Sequence, residues 1–327
     1  VRIVVTGSIA TDHLMTFQGR FADSLVVEQL DQVSLSFLVE DLQIRRGGVA
    51  ANIAFGLANL GLSPLLVGAV GEDFADYRSW LTRHGVDCSG VRVSQLLHTA
   101  RFICTTDTHQ AQIASFYAGA MSEARDIELG PLAAQAPLDL VVVSPNDPEA
   151  MLRHTEECRT RGIPFAADPS QQLAWSDGPV IRQLIDGAGY LFTNDYEAAL
   201  IHQKTGWTDE DVLARVGVRV TTHGKDGVVL QRRGSDDVRV PVVPAGRVAD
   251  PTGVGDGFRA GFLAGLAWGL PPERCAEVGC LLATLVLETV GTQEYTLGHA
   301  DFLTRLAKVY GDDAAASVEP HLRTLHP

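Results

Sequence analysis

The chain has 327 residues, a formal net charge of −14, 46% hydrophobic residues and 20% charged residues. That apolar content supports a sizeable core and excludes a largely disordered chain. The acidic balance argues against a nucleic-acid or anionic-membrane partner, though local amides and a metal can still hold a nucleotide. The length suits one large α/β domain with an appendage, or two domains. The five cysteines, Cys88, Cys104, Cys158, Cys275 and Cys280, show no CxxC spacing. Neither a zinc site nor a disulfide framework is expected, and free thiols suit a reducing, cytoplasmic setting. The first apolar run is too short for a signal peptide and contains Thr6 and Gly7; the longest, Cys280 to Leu287, is too short to span a bilayer.

Arg2 to Ser8 reads as a short buried strand ending in a turn, with Asp12 just beyond it. Carboxyl ends of strands collect ligands in open α/β sheets, so Asp12 is a candidate for holding hydroxyl groups; the alternative is a solvated loop acid. Val33 to Val39 alternates with period two, which predicts a strand in a small sheet away from the main core. Gly47 and Gly48 then open a helix running to about Leu60. Paired glycines allow close backbone approach and a hinge. Asn52, in the first turns, can offer its amide to a hydroxyl. Leu65 to Asp73 follows as strand and loop.

Thr99–Thr106 and Ala111–Tyr117 flank the polar break Asp107–Gln110 and predict a hairpin. Gln112, Ala114 and Phe116 share one face. With Phe102 they can sandwich and read a flat heteroaromatic ring, or simply pack a small core. Leu138–Val143, Ile163–Ala167, Gly189–Thr193 and Val218–Thr222 are apolar runs separated by helical stretches such as Pro148–Arg161 and Asp209–Arg215. This alternation predicts a parallel sheet covered on both faces.

Polar residues cluster after those strands: Asp168 to Gln172, Asn194 to Glu197, and Thr222 to Gly227. Asn194 and Glu197 share one side of a helix's first turn, suiting either the water shell of Mg²⁺ or a capping box. Thr222, His223, Gly224 and Gly227 form a turn able to take phosphates or ribose, with Lys225 either adding charge toward phosphate or standing as a solvated loop residue. The last such stretch is Asp250 to Phe262. Pro251, Gly253, Gly255 and Gly257 make a tight turn, and Phe258, Phe262 and Leu266 continue it as the buried stripe of a helix. The amides of Gly253, Val254, Gly255 and Asp256 would point at an anion off the helix N-terminus. Asp256 is either a dipole-offsetting acid or a general base. An apolar helix, Ala276 to Val290, ends at Gly291.

Two of these stretches, Gly47–Asp73 and Asp250–Phe262, resemble the two signatures of the ribokinase-like (PfkB) carbohydrate and nucleoside kinases, with Val254 where the family usually has alanine. The resemblance runs from Ser8 to Gly291. Val5–Met15, Val33–Val39, Ala111–Tyr117 and Glu288–Glu294 are further similar to the actinobacterial adenosine kinases. The resemblance implies a ribokinase-like α/β fold: a mostly parallel central sheet covered by helices on both faces, with a small β-sheet lid. The large domain would comprise 1–10, 47–96 and 119–327, and the lid 11–46 and 97–118. It implies a homodimer formed through the lids, with adenosine and ATP as substrates, Mg²⁺ as cofactor and a K⁺-type cation at Asp250, Thr252 and Gly291. Ser8, Asp12, Gly48 and Asn52 would hold the ribose, with Ser36 reaching in from the lid. Phe102 and Phe116 would stack the adenine, read by Gln112, Gln171 and Gln172. Asn194, Thr222, His223, Gly224, Gly227 and Gly255 would serve ATP, with Mg²⁺ held through water by Asn194 and Glu197. Asp256 would be the general base over the Gly253–Gly255 amides. Trp175 departs from the pattern, standing where a basic residue is expected. A sugar kinase for ribose or fructose, an inosine-guanosine kinase and a catalytically silent nucleoside-binding protein are the alternatives.

Overall fold

Short β-branched runs alternate with helices along most of the chain, and the backbone follows that alternation. The computed structural model describes residues 1–24 and 36–322. Its strands are β1 (Ile3–Thr6), β2 (Ala10–Thr16), β3 (Asp41–Gly47), β4 (Leu65–Gly71), β5 (Asp87–Ser94), β6 (Ala100–Thr106) and β7 (Gln112–Tyr117), then β8 (Leu140–Val143), β9 (Phe165–Ala167), β10 (Tyr190–Asn194), β11 (Val218–Thr222), β12 (Val228–Gln231) and β13 (Val238–Val240). They form a nine-stranded sheet, ordered β13-β12-β11-β10-β9-β8-β1-β4-β5, and a four-stranded sheet, β3-β2-β6-β7. The large sheet is parallel except at β11-β12-β13.

Parallel strands must be covered on both faces, and period two divides their side chains between two cores. Ile3 and Val5 of β1 enter one core, packed with the helices Val49–Asn59, Val254–Ala267 and Pro272–Leu287. Val4 enters the other, with Met151 and Cys158 of the helix Pro148–Arg161 and Ile201 of the helix Asp195–Thr205. All five cysteines are free and buried. Among the described residues no helix is long and apolar enough to cross a membrane.

The second sheet differs from expectation in one strand. Of the run Val33–Val39, residues 33–35 lie outside the described residues, and 36–39 are not strand. Phe37 instead joins Phe17 and Phe21 in an aromatic cluster, with ring centroids 4.9 and 5.2 Å away. On one side β2 pairs with β3, in unbroken antiparallel register from Ala10↔Gly47 to Thr16↔Asp41, and on the other with β6 in parallel. Asp12 is likewise a strand residue in the middle of β2 rather than a loop acid. The expected hairpin is β6-β7.

Candidate active site

The turn before the Val254–Ala267 helix is built on Gly253, the N-cap, at φ +77. A Cβ there would also lie 2.8 Å from the Thr292 side chain, so both backbone and space require glycine. No side chain caps this helix. Among the described residues the amides of Gly255 and Asp256 have no hydrogen-bond acceptor, and that of Val254 has only a long 3.4 Å bond to Pro251 O. Such an end attracts anions.

This turn is a partition between two cavities. One, of about 570 Å³, is lined by Thr252, Gly253 and Asp256 on the turn side. The other, of about 590 Å³, is lined by Pro251, Val254 and Gly255. Successive residues of one turn therefore face opposite spaces.

The first cavity lies between the two sheets. Its lid side is one row of the small sheet: Asp12 registers with Phe102, and Phe102 with Phe116. Directly opposed residues share a face, so the two phenylalanines are neighbours on one wall and do not face each other across a ring. Gln112 shares this face but pairs with Thr106 at the far end of the ladder, where its amide bonds the Thr106 hydroxyl at 3.3 Å. Three residues of extended chain separate it from Phe116, and it does not line the cavity. Ser36 is exposed and also absent from the lining. The large α/β unit contributes Pro145, Asn146 and Gln171 from loops beyond its strands, and Gln172 and Trp175 from the short helix Gln172–Trp175.

Ser8 and Gly48 sit where the lid joins the core. Ser8 Oγ accepts from the Val49 amide at 3.0 Å. Gly48 has φ +94, and a Cβ on it would lie 2.6 Å from Ser8 O. Asp12 is paired in register with Arg45; burial pushes its carboxyl up to about 6 against the pull of that guanidinium.

Asn52 does more than line the wall. Its Nδ2 donates to Asp256 Oδ2 at 2.8 Å, while its Oδ1 accepts from Thr292 Oγ1 and Gln293 Nε2, each at 2.9 Å. The amide is thus locked in orientation and aims the Asp256 carboxylate. Enclosure raises the Asp256 carboxyl to about 6, opposed by Arg259 and the Asn52 bond. A carboxylate with that affinity can take a proton near neutral pH.

Behind the turn lies a pair that sequence reading passed over. Arg259 and Asp168 are both buried, with Arg259 Nη2 donating to Asp168 Oδ1 at 2.6 Å. Burial raises the Asp168 carboxyl, to about 7, against the same guanidinium. Asp168 Oδ2 has no partner among the described residues. A Cβ on Gly255 would lie 2.8 Å from Arg259 Nη1, so the cation sits directly under the turn. The signal was an arginine in a helix that is otherwise apolar beyond its first turn.

Asn194 and Glu197 form a reciprocal capping box: Asn194 Oδ1 accepts from the Glu197 amide at 2.8 Å, and Glu197 Oε2 from the Asn194 amide at 2.9 Å. Glu197 Oε1 accepts from Ser170 Oγ at 3.2 Å. No group of three or more metal-ligating side chains occurs among the described residues. The oxygen-only donors of Ser170, Asn194 and Glu197 fit an ion held through its water shell and not one ligated directly. Asp250, Thr252 and Gly291 do come together: Asp250 accepts from the Thr252 amide at 2.9 Å and the Gly291 amide at 3.1 Å. Arg45 pairs with the same carboxylate at 3.4 Å. The two amides and the guanidinium hold the Asp250 carboxylate in place; a cation at these three positions would be held by their backbone carbonyl oxygens instead.

The second cavity is largely apolar, lined by Val228, Val243, Val248, Ala283 and Leu287, with Thr222, Gly224, Lys225 and Gly227 at one side. Lys225 is exposed to solvent and also belongs to this lining, so both readings of it fit. His223 does not; its Nδ1 lies 2.6 Å from Asp195 Oδ1.

A mostly parallel sheet with a small separate sheet, and a glycine turn dividing two cavities between them, is the ribokinase-like architecture. The chain belongs to the pfkB family of carbohydrate kinases, whose family model matches residues 5–297. It is similar to a nucleoside kinase of Burkholderia thailandensis. The ligand-free structure of that protein is 35% identical, with a TM-score of 0.85, covering 93% of this chain and 99% of the other. Its complex with ADP-inosine is 35% identical, with a TM-score of 0.80 over 94% and 96% of the two chains. A nucleoside kinase of Methanothermobacter thermautotrophicus is 31% identical over 272 residues, 82% of this chain and 86% of that one.

Proposed function

We propose that the protein is an ATP-dependent nucleoside kinase that phosphorylates the 5′-hydroxyl of adenosine, giving AMP and ADP. The observation that carries this reading is the partition: Asp256 faces the cavity with the aromatic lid row, while Gly255, in the same turn, faces the apolar cavity. A phosphoryl donor in the second cavity and an acceptor hydroxyl in the first would meet at the helix N-terminus.

Asp256, aimed by Asn52, takes the 5′-hydroxyl proton. The ribose oxygen forms a bond to the γ-phosphorus as the bond to the β-phosphate oxygen breaks. The proton remains on Asp256 and ADP leaves. The Gly255 and Asp256 amides stabilise charge on the moving phosphoryl group. Mg²⁺, when bound, would neutralise phosphate charge, with Asn194 and Glu197 holding its water shell. Asp12, Ser8 and Gly48 line the ribose end, and Phe102 and Phe116 form an apolar wall for the base. A bare sugar needs no such wall.

The similarity to a structure containing inosine supports a second reading, in which inosine is the acceptor. Glutamine amides both donate and accept, so Gln171 and Gln172 suit a 6-amino or a 6-oxo purine.

The face of the lid turned away from the cavity exposes Leu42, Ile44, Ile113 and Tyr117, consistent with a homodimer covering it. Light scattering at micromolar concentration would give twice the chain mass. ADP release with Mg·ATP and, in parallel, adenosine, inosine, guanosine, ribose and fructose tests the function. Turnover strongest with adenosine is expected. Turnover only with a free sugar would overturn the nucleoside assignment.

A further inference from the structure

Trp80, Trp207, Trp268 and Trp175 are the four tryptophans of the chain, and three have evident partners. Trp80 stacks on Phe55 and lies under Arg46, Trp207 carries the Arg215 guanidinium, and Trp268 stacks on His321. Trp175 has no such partner among the described residues and is 86% exposed. An indole left in water is unremarkable on a mobile loop. This one stands on a pinned segment.

Trp175 ends the short helix Gln172–Trp175. Leu173 of that turn is fully buried. Lys204, from the neighbouring Asp195–Thr205 helix, places its ammonium on three carbonyls around Trp175: Leu173 at 2.6 Å, Ala174 at 2.8 Å and Ser176 at 2.9 Å. All three of its donors are used to hold this backbone. Gln172 ties the same turn to Asn146 O at 2.9 Å. The chain therefore fixes the backbone under Trp175 firmly and leaves the ring at the mouth of the first cavity, which it lines.

The lid supplies only one aromatic wall, because Phe102 and Phe116 are lateral neighbours on one sheet face. They remain 36% and 54% exposed, so their rings also await a cover. A flat heteroaromatic base has two faces, and stacking is strongest when both are covered.

We propose that Trp175 is the second wall of the base subsite, stacking on the heteroaromatic base of a nucleoside from the large-sheet side, opposite Phe102 and Phe116. This rests on the nucleoside-kinase reading and names the residue that sets its preference for nucleosides over free sugars. An indole in place of the expected basic residue adds a π-face where a charge would have stood.

The test compares wild type, Trp175→Ala and Trp175→Phe in steady-state turnover of adenosine and inosine. A titration of tryptophan emission with adenosine, without ATP, accompanies it. Trp175→Ala should raise the nucleoside KM about 10- to 100-fold, with kcat and the KM for ATP nearly unchanged. Trp175→Phe should recover most of the loss. Wild-type emission should change on adding adenosine, and the change should vanish in Trp175→Phe, which keeps the other three indoles. An unchanged nucleoside KM in Trp175→Ala, with wild-type turnover intact, would overturn the proposal and leave the nucleoside-kinase reading standing. KM values for nucleoside and ATP rising together with a lower Tm would also overturn it, as damage to the fold. A wild type that phosphorylates sugars but no nucleoside would overturn both.

Discussion

The two cavities that share the Gly253–Asp256 turn are nearly equal in volume, about 570 and 590 Å³, yet they are built in opposite ways. The first is assembled from two sheets and carries the acids, amides and aromatics. The second lies within the large α/β unit, between the β11-β12 turn and the Pro272–Leu287 helix, and is mostly aliphatic. A cavity between two bodies can close on its ligand and be emptied again; one walled by a single packed core is largely preformed. Polar discrimination is concentrated where closure can exclude water, and the second cavity offers mainly shape.

The largest effect should come from the group at the boundary. Asp256→Asn keeps the geometry but removes the base, and should lower kcat by roughly 10²–10⁴, with adenosine affinity by calorimetry little changed. Near-normal turnover would return Asp256 to a dipole-offsetting role. Asp168→Asn tests the foundation under both cavities. It removes the charge hydrogen-bonded to the buried Arg259, leaving only the more distant Asp256 and Glu197, and should cost up to about 3–5 kcal/mol of stability, read as a fall in Tm. If Tm holds, the pair does not support the turn.

Separating the cavities needs a change in one alone. Ala283→Phe fills the second cavity and should raise the KM for ATP roughly tenfold, about 1.4 kcal/mol, while the nucleoside KM stays put. A rise in both would mean that the cavities do not act separately. The acid limb of kcat/KM sharpens the boundary further. Enclosure holds the Asp256 carboxyl at about 6, so the base form is lost as pH falls through that value. Activity should be flat above it and fall about tenfold per unit below it, a limb absent from Asp256→Asn. The smallest effect is expected at the lid. Phe116→Ala removes half of an exposed wall and should raise the nucleoside KM about fivefold, near 1 kcal/mol, leaving ATP untouched.

Much of this arrangement was legible along the chain, for a definite reason. Val218–Thr222 and Pro148–Arg161 occur as strand and helix at the bounds their periodicity set, because period and capping are local properties. The turn at Gly253 was legible because φ +77 together with a crowding side chain admits glycine alone. The strand expected at Val33–Val39 does not occur at residues 36–39, the part of it that is described, because alternation shows that a face is buried without showing what buries it. Phe37 found its cover in Phe17 and Phe21, and the ladder to β2 went to Asp41–Gly47.

The sequence by itself determined the alternating α/β plan and the glycine turn carrying Asp256, because both depend on neighbours within a few residues. Only the tertiary structure decided that Asn52 aims Asp256, that Arg259 and Asp168 pair beneath the turn, and that Phe102 lies beside Phe116 while Gln112 falls outside the cavity. Those facts rest on strand register and on contacts between residues as much as 241 positions apart, which no local pattern encodes.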